Sequence, residues 1–325
     1  MVGADEREIA LRDWLSGLAT FKEGELTVAS ADASFRRYFR LTSSDQTFVV
    51  MDAPPEKEPC EPFVRIASLL RKSGVRTPEI LAQDLERGFL VLTDFGELHY
   101  QEALEGPARE VLYDLAMEEI LKLQTGLLEE AEQLPAYDES WVRMELEIFR
   151  EWCHPDLPET EYEEAVNPLV DAFLEQPKVF VHRDFHCRNL LVLADGKPGV
   201  IDFQGAMRGP VTYDPVSLLR DCYVDNADEW VRRKSLAHRD KLITAGLLPS
   251  NCPDEEFLRW LDFVGAQRHL KCIGIFHRLK LRDGKGGYLA DAPRVLGYLE
   301  TVLAKWPALQ PLQAIASTAR ILSPS

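Results

Sequence analysis

Residues 179–205 read V-F-V-H-R-D-F-H-C-R-N-L-L-V-L-A-D-G-K-P-G-V-I-D-F-Q-G, and this stretch constrains the fold more than any other. Three short apolar runs, Val179–Val181, Leu190–Leu193 and Gly199–Phe203, are too brief for helices and are joined by polar connections. The polar residues His182, Asp184, Asn189 and Asp202 fall at strand ends, where a buried strand has no need of them. The surroundings make the island conspicuous. From Tyr100 onward the apolar residues recur at helical spacing, over 111–128, 141–152, 161–174, 215–224, 227–245, 255–281 and 289–303.

The first third of the chain has a different period. Leu11, Trp14, Leu15 and Leu18 share one stripe, so a helix opens the sequence. Three strand-type runs follow, at Leu26–Ser30, Phe35–Leu41 and Thr47–Asp52. In the middle run Phe35, Arg37, Phe39 and Leu41 alternate with Arg36, Tyr38 and Arg40. A proline-bearing loop at 53–59, a helix around Phe63–Leu70 and strands near 79–82 and 88–93 complete the pattern of a five-stranded antiparallel sheet with one inserted helix. The fold class expected is α+β: a β-rich lobe over residues 1–94, then a mainly helical lobe over 95–325.

Charge and cysteine usage narrow the function classes. With 54 acidic against 37 basic side chains the formal net charge is −17. A surface of that sign repels phosphate backbones and anionic lipid, so neither nucleic acid nor membrane is an expected partner. The sequence points to no protein partner. The six cysteines form no C-x-x-C pair, which removes the usual zinc and thioredoxin-type motifs. The polar, acidic N-terminus and the lack of a long apolar run lead to the expectation of a cytoplasmic protein with free thiols.

The polar residues of the island suit phosphoryl transfer. Such a reaction wants a carboxylate beside the attacking hydroxyl, for which Asp184 is suited. It also wants hard oxygen ligands for magnesium, for which Asn189 and Asp202 are suited. His182 reads as an orienter of this segment. Asp214 in T-Y-D-P reads as a helix N-cap. His182, Asp184 and His186 also form H-x-D-x-H, without the companion ligands that a zinc site needs.

His182-Arg183-Asp184 followed by Asn189, with Asp202-Phe203 thirteen positions after that asparagine, resembles the catalytic and metal segments of the protein-kinase-like fold. The run from Gly209 to Pro215 resembles the aminoglycoside/choline phosphotransferase family. Residues 32–40, 50–55, 182–189, 204–206 and 267–271 look like bacterial cell-wall-recycling kinases. That resemblance implies phosphorylation of the anomeric hydroxyl of N-acetylmuramate and N-acetylglucosamine by ATP with Mg2+, the nucleotide lying between two lobes. Two departures stand out: the loop from Ser30 to Arg40 has no glycine, and Met51 occupies the place of the strand lysine.

In such a fold the backbone N–H groups of Ala33, Ser34 and Phe35 would cradle phosphate, and adenine would lie by the connector around Leu92, Thr93, Asp94 and Phe95. Arg37 is favoured over Arg36 and Lys57 as the replacement cation. Arg268 and Lys271, spaced i, i+3 on one helix, would meet a substrate carboxylate; the alternative is a salt-bridged or solvated face. Two other functions stay open: phosphorylation of an amine-bearing acceptor of aminoglycoside or choline type, and nucleotide binding with little turnover, which the missing lysine motivates.

Overall fold

The computed structural model describes residues 5–31, 35–43 and 46–322. The chain divides into two compact units, Met1–Leu98 with Leu191–Gln204, and His99–Leu190 with Gly205–Ser325. Periodicity alone predicts a single division after residue 94. The contacts carry the first unit on to Leu98, because Arg40 pairs with both Asp94 and Glu97 and the Leu98 carbonyl accepts the Val192 N–H. Residues 191–204 join the same unit through three contacts. Arg76 pairs with Asp195, the Val200 N–H donates to the Arg76 carbonyl, and Phe95 sits where a side chain at Gly199 would be. A segment that returns from a hundred residues away leaves no mark in local periodicity.

In the first unit α1 (Glu6–Ser16) starts at Asp5, whose carboxylate accepts the Glu8 N–H at 2.8 Å. It is followed by β1 (Glu25–Ala31), β2 (Arg37–Ser43), β3 (Gln46–Asp52), α2 (Glu61–Lys72), β4 (Ile80–Asp84) and β5 (Phe89–Thr93). The sheet is antiparallel in the order β1-β2-β3-β5-β4. Val50 lies opposite Phe39 on one side and Val91 on the other, so one face of three strands is apolar. Leu11 and Leu15 of α1 close over that face with Phe21, Leu26 and Phe89. Each such side chain contributes roughly 1.5–3 kcal/mol by leaving water. The opening helix is therefore part of this core.

The second unit is built on helices. It contains α3 (Tyr100–Ala103), α4 (Arg109–Gly126), α5 (Leu128–Ala131), α6 (Glu139–Cys153), α7 (Glu159–Leu174) and β6 (Lys178–Val181). The chain then makes β7 (Leu190–Val192) and β8 (Pro198–Val200), a two-stranded pair reached across the turn at Gly196. It continues with β9 (Met207–Pro210), α8 (Tyr213–Leu219), α9 (Asp228–Thr244), α10 (Asp254–Asp283), α11 (Ala292–Lys305) and α12 (Gln310–Thr318). Long α10 runs through the middle of this unit and crosses α6 closely. A Cβ at Gly274 would lie 2.7 Å from the Ile148 carbonyl, so the crossing demands glycine there. No helix among the described residues is long and apolar enough to cross a membrane.

Two local expectations change. The helix expected over 215–224 stops at Leu219, because Asn226 donates its side-chain amide to the Leu219 carbonyl and its backbone carbonyl accepts Arg220. The chain from Arg220 to Tyr223 is released as a loop beside the island. Strand β9 was unforeseen, since Arg208-Gly209-Pro210 has little strand propensity. It forms because β6 offers an open edge, pairing Val179 with Gly209 and Val181 with Met207.

Candidate active site

Strand β6 ends at Val181, and the next residues are pinned atom by atom. The His182 N–H donates to Asp214 Oδ2 at 2.8 Å, and the Arg183 N–H donates to Asp214 Oδ1 at 3.1 Å. Arg183 has φ +77°, a left-handed conformation that costs an L residue of order 1–3 kcal/mol. The paired N–H groups hold it there. His182, fully buried, accepts the Asp184 N–H on Nδ1 at 3.3 Å and packs edge-on to Phe185. Further on, Asp221 accepts the Cys187 N–H at 2.8 Å, and Asn189 Nδ2 donates to the Asp184 carbonyl at 2.9 Å. Asp184 is thereby fixed at both its N–H and its carbonyl.

Asp214 differs from its sequence-based role. It lies inside α8, whose N-cap is Thr212, and it clamps the preceding segment instead of capping its own helix. Burial pushes its carboxyl up to about 7, against the pull of the two N–H donors. A folded value above the unfolded one means that this group favours folding at low pH, and that the contribution is lost as pH rises through about 7. Asp214→Asn removes the titration and turns an amide N–H toward a backbone N–H. The variant should melt below the wild type at pH 5, with the gap narrowing by the equivalent of up to about 3 kcal/mol toward pH 8. Thermal melts across that range check it, and a constant gap would show that Asp214 does not titrate there.

The Asp184 carboxylate is half-buried, and among the described residues no donor reaches its oxygens. Burial pushes its pKa up, yet the charges of Lys271, His186, Arg183 and Arg268 outweigh burial and hold it below the usual aspartate range. The site therefore keeps an ionised carboxylate with open acceptor positions in a cationic field. Arg268 and Lys271 are both buried, not on a solvated face. Lys271 Nζ lies 3.0 Å from the Tyr213 hydroxyl and 3.4 Å from Glu145 Oε1.

Sequence reasoning passed over Glu145. This buried carboxylate on α6 receives Arg183 Nη2 at 2.7 Å, Gln267 Nε2 at 3.1 Å, Lys271 and the Tyr137 hydroxyl. The signal was present: Glu145 shares a stripe with Val142, Leu146 and Phe149, an acid among apolar positions of one face. The Arg183 guanidinium also lies over the rings of Tyr137 and half-exposed Trp141, at 5.4 and 5.5 Å. Cys187 is buried, and burial pushes its thiol far up, which leaves it unreactive.

The remaining candidates belong to the first unit. Asp202 is exposed at φ +61°, its Oδ1 accepting Gln204 Nε2 at 2.7 Å, while Phe203 anchors the turn by packing on Phe63 of α2 with centroids 4.7 Å apart. Leu92 is buried on β5, and Asp94 pairs with Arg40 at 2.8 Å. Arg37 is engaged by the buried carboxylate of Asp52 at 2.9 Å and by Asp5. Arg36 pairs with Glu58 at 2.7 Å, and Lys57 lies over the exposed Phe35 ring at 4.2 Å. All three cations proposed to replace the lysine thus have partners in this structure. Met51 is fully buried between Tyr38 and Leu90. Ala33 and Ser34 lie outside the described residues.

The geometry can be set beside known proteins. Residues 25–261 match the phosphotransferase enzyme family. An N-acetylmuramate/N-acetylglucosamine kinase of Pseudomonas aeruginosa is 46% identical over 297 residues, covering 89% of this chain and 86% of the relative. A Neisseria meningitidis protein of the same name is 40% identical over 323 residues, covering 95% of each. Among solved structures, an aminoglycoside phosphotransferase from Ralstonia eutropha, so described only provisionally, superposes with a TM-score of 0.63 at 16% identity, over 96% of this chain and 99% of that one. With its fold, its pinned Asp184 segment and a match over most of its length, this chain belongs to the phosphotransferase enzyme family.

Proposed function

We propose that the protein is an ATP-dependent sugar kinase that phosphorylates the anomeric hydroxyl of N-acetylmuramate and N-acetylglucosamine. The single observation that carries the chemistry is the Asp184 carboxylate, ionised, held at its own backbone and with acceptor positions open. The relatives at 40–46% identity over most of both chains support the acceptors.

Asp184 accepts a hydrogen bond from the acceptor hydroxyl and orients its lone pair for in-line attack on the γ-phosphorus. The hydroxyl oxygen forms the new P–O bond, the bond to the β-phosphate oxygen breaks, ADP leaves, and the hydroxyl proton passes to Asp184. A hemiacetal hydroxyl is more acidic than a simple alcohol, because the ring oxygen withdraws electron density. A carboxylate is therefore an adequate base.

For magnesium our assignment rests on donor type alone: Asn189 and Asp202 both carry hard oxygen donors of the kind that ion takes. When bound, the ion would offset the charge of the polyphosphate. The β1–β2 connection with Phe35, together with Leu92 and Asp94, is our assignment for nucleotide contact in the first unit.

Phosphorus NMR of the enzyme with Mg-ATP tests the reading. N-acetylmuramate and N-acetylglucosamine should each give an enzyme-dependent sugar 1-phosphate signal. Product only with kanamycin or choline would overturn the acceptor, and ATP binding without product on any of the four would overturn the kinase.

A further inference from the structure

Helix α10 brings two cations toward Asp184, and their surroundings differ. Gln267, Lys271 and Gly274 face α6, where Lys271 is committed to Glu145 and Tyr213. Arg268 faces the loop released at the end of α8. Its Nη1 reaches Cys222 Sγ at 3.6 Å, a long bond to a soft acceptor. Arg268 is only 3% exposed, yet among the described residues no carboxylate lies within ion-pair distance of it. A buried guanidinium normally has a carboxylate or a set of carbonyls for its fork of donors.

Cys222 in turn donates to Cys272, whose thiol is drawn down by that bond and by the field of Arg268 and Lys271. A soft sulfur acceptor matches the guanidinium fork poorly, whereas a carboxylate matches it with two parallel bonds. The loop also ties Arg268 to the catalytic segment. Tyr223, next to Cys222, packs against the His186 ring at 5.4 Å and carries the Arg188 guanidinium at 3.4 Å.

We propose that Arg268, and not Lys271, is the receptor for a carboxylate on the acceptor sugar. The inference rests on the kinase reading above and deepens it. N-acetylmuramate differs from N-acetylglucosamine by a lactyl ether whose carboxylate is its one charge, so an enzyme that takes both is served by a cation that one substrate engages and the other leaves without a carboxylate. Arg268 meets that description. Lys271 is a positioning residue, its charge spent on Glu145.

The test measures kcat/KM for N-acetylmuramate, its methyl ester and N-acetylglucosamine with the wild type, Arg268→Gln and Arg268→Lys. Arg268→Gln should lower the value for the acid by about 10- to 100-fold more than for the ester or N-acetylglucosamine, mainly through KM. Arg268→Lys should fall between, and the wild type should prefer acid to ester. An equal loss on all three substrates, in a variant with wild-type melting temperature and ATP affinity, overturns the assignment. So does a wild type indifferent to esterification, a comparison that stands even where Arg268→Gln does not fold. A wild type that phosphorylates none of the three sinks the kinase reading itself, and this inference with it.

Discussion

Asp184→Asn should lower turnover by about 10²- to 10⁴-fold while leaving ATP affinity within a few-fold of the wild type. The amide has nearly the same shape, and the contacts that fix this residue run through its N–H and carbonyl, to His182 and Asn189, which the substitution leaves in place. The loss should therefore fall on kcat and not on KM for ATP. The pH dependence has a definite sign. Lys271, His186, Arg183 and Arg268 hold the carboxyl below the ordinary aspartate range, so the carboxylate stays ionised down to about pH 4 and lower. An acid limb of kcat/KM near pH 6 would have to come from another group. Stopped assays of ADP release, with nucleotide affinity by calorimetry, check both statements. A variant turning over within about threefold of the wild type would remove Asp184 from the chemistry.

What the sequence revealed, and what it concealed, follows physical lines. Five strands and the helix between β3 and β4 were legible because their apolar residues alternate or recur within a single element, as Phe39 and Leu41 do opposite Val50 and Phe48. The Asp184 segment was legible because polar side chains between apolar strands are unusual wherever they occur. Its supports were hidden. Asp214 resembled a helix cap because capping is the commonest use of aspartate before proline, whereas its two oxygens are spent on N–H groups 31 and 32 positions earlier. Glu145 was hidden because a charge on an amphipathic helix reads as solvated until the helix facing it is known. Residues 191–204 fold with the first unit through Arg76 and Phe95, contacts that no local pattern could announce. Arg37 looked like a spare cation and is held by Asp52, whose own burial came to light only with the sheet in place.

Glu145→Ala should produce the largest loss of stability of any single change at the site, roughly 3–5 kcal/mol, or a fall in melting temperature of about 6–20 °C. The substitution leaves Arg183 and Lys271 facing one another without the carboxylate between them, both largely out of water, with Gln267 and Tyr137 also losing a partner. Glu145→Gln keeps volume and some hydrogen bonding but not charge, so its loss should be smaller. The pair of variants separates charge from packing by pH. Burial raises the Glu145 pKa, but Lys271 and Arg183 outweigh it and hold the group below the usual glutamate range. A depressed folded value stabilises the fold above the unfolded value and loses that contribution as pH falls through the folded one. The gap between wild type and Glu145→Gln should therefore be full at pH 7 and begin to close only as pH falls below the ordinary glutamate range. Because Arg183 sits at a left-handed φ one residue before Asp184, loosening its guanidinium also lets the backbone relax, and turnover should fall alongside stability. That coupling distinguishes the two carboxylates: Asp184→Asn costs chemistry in an intact fold, whereas Glu145→Ala costs the fold from which the chemistry is held. Melts and ADP-release rates on the same samples decide it, and a Glu145→Ala protein as stable and active as the wild type would show that the two cations are neutralised elsewhere.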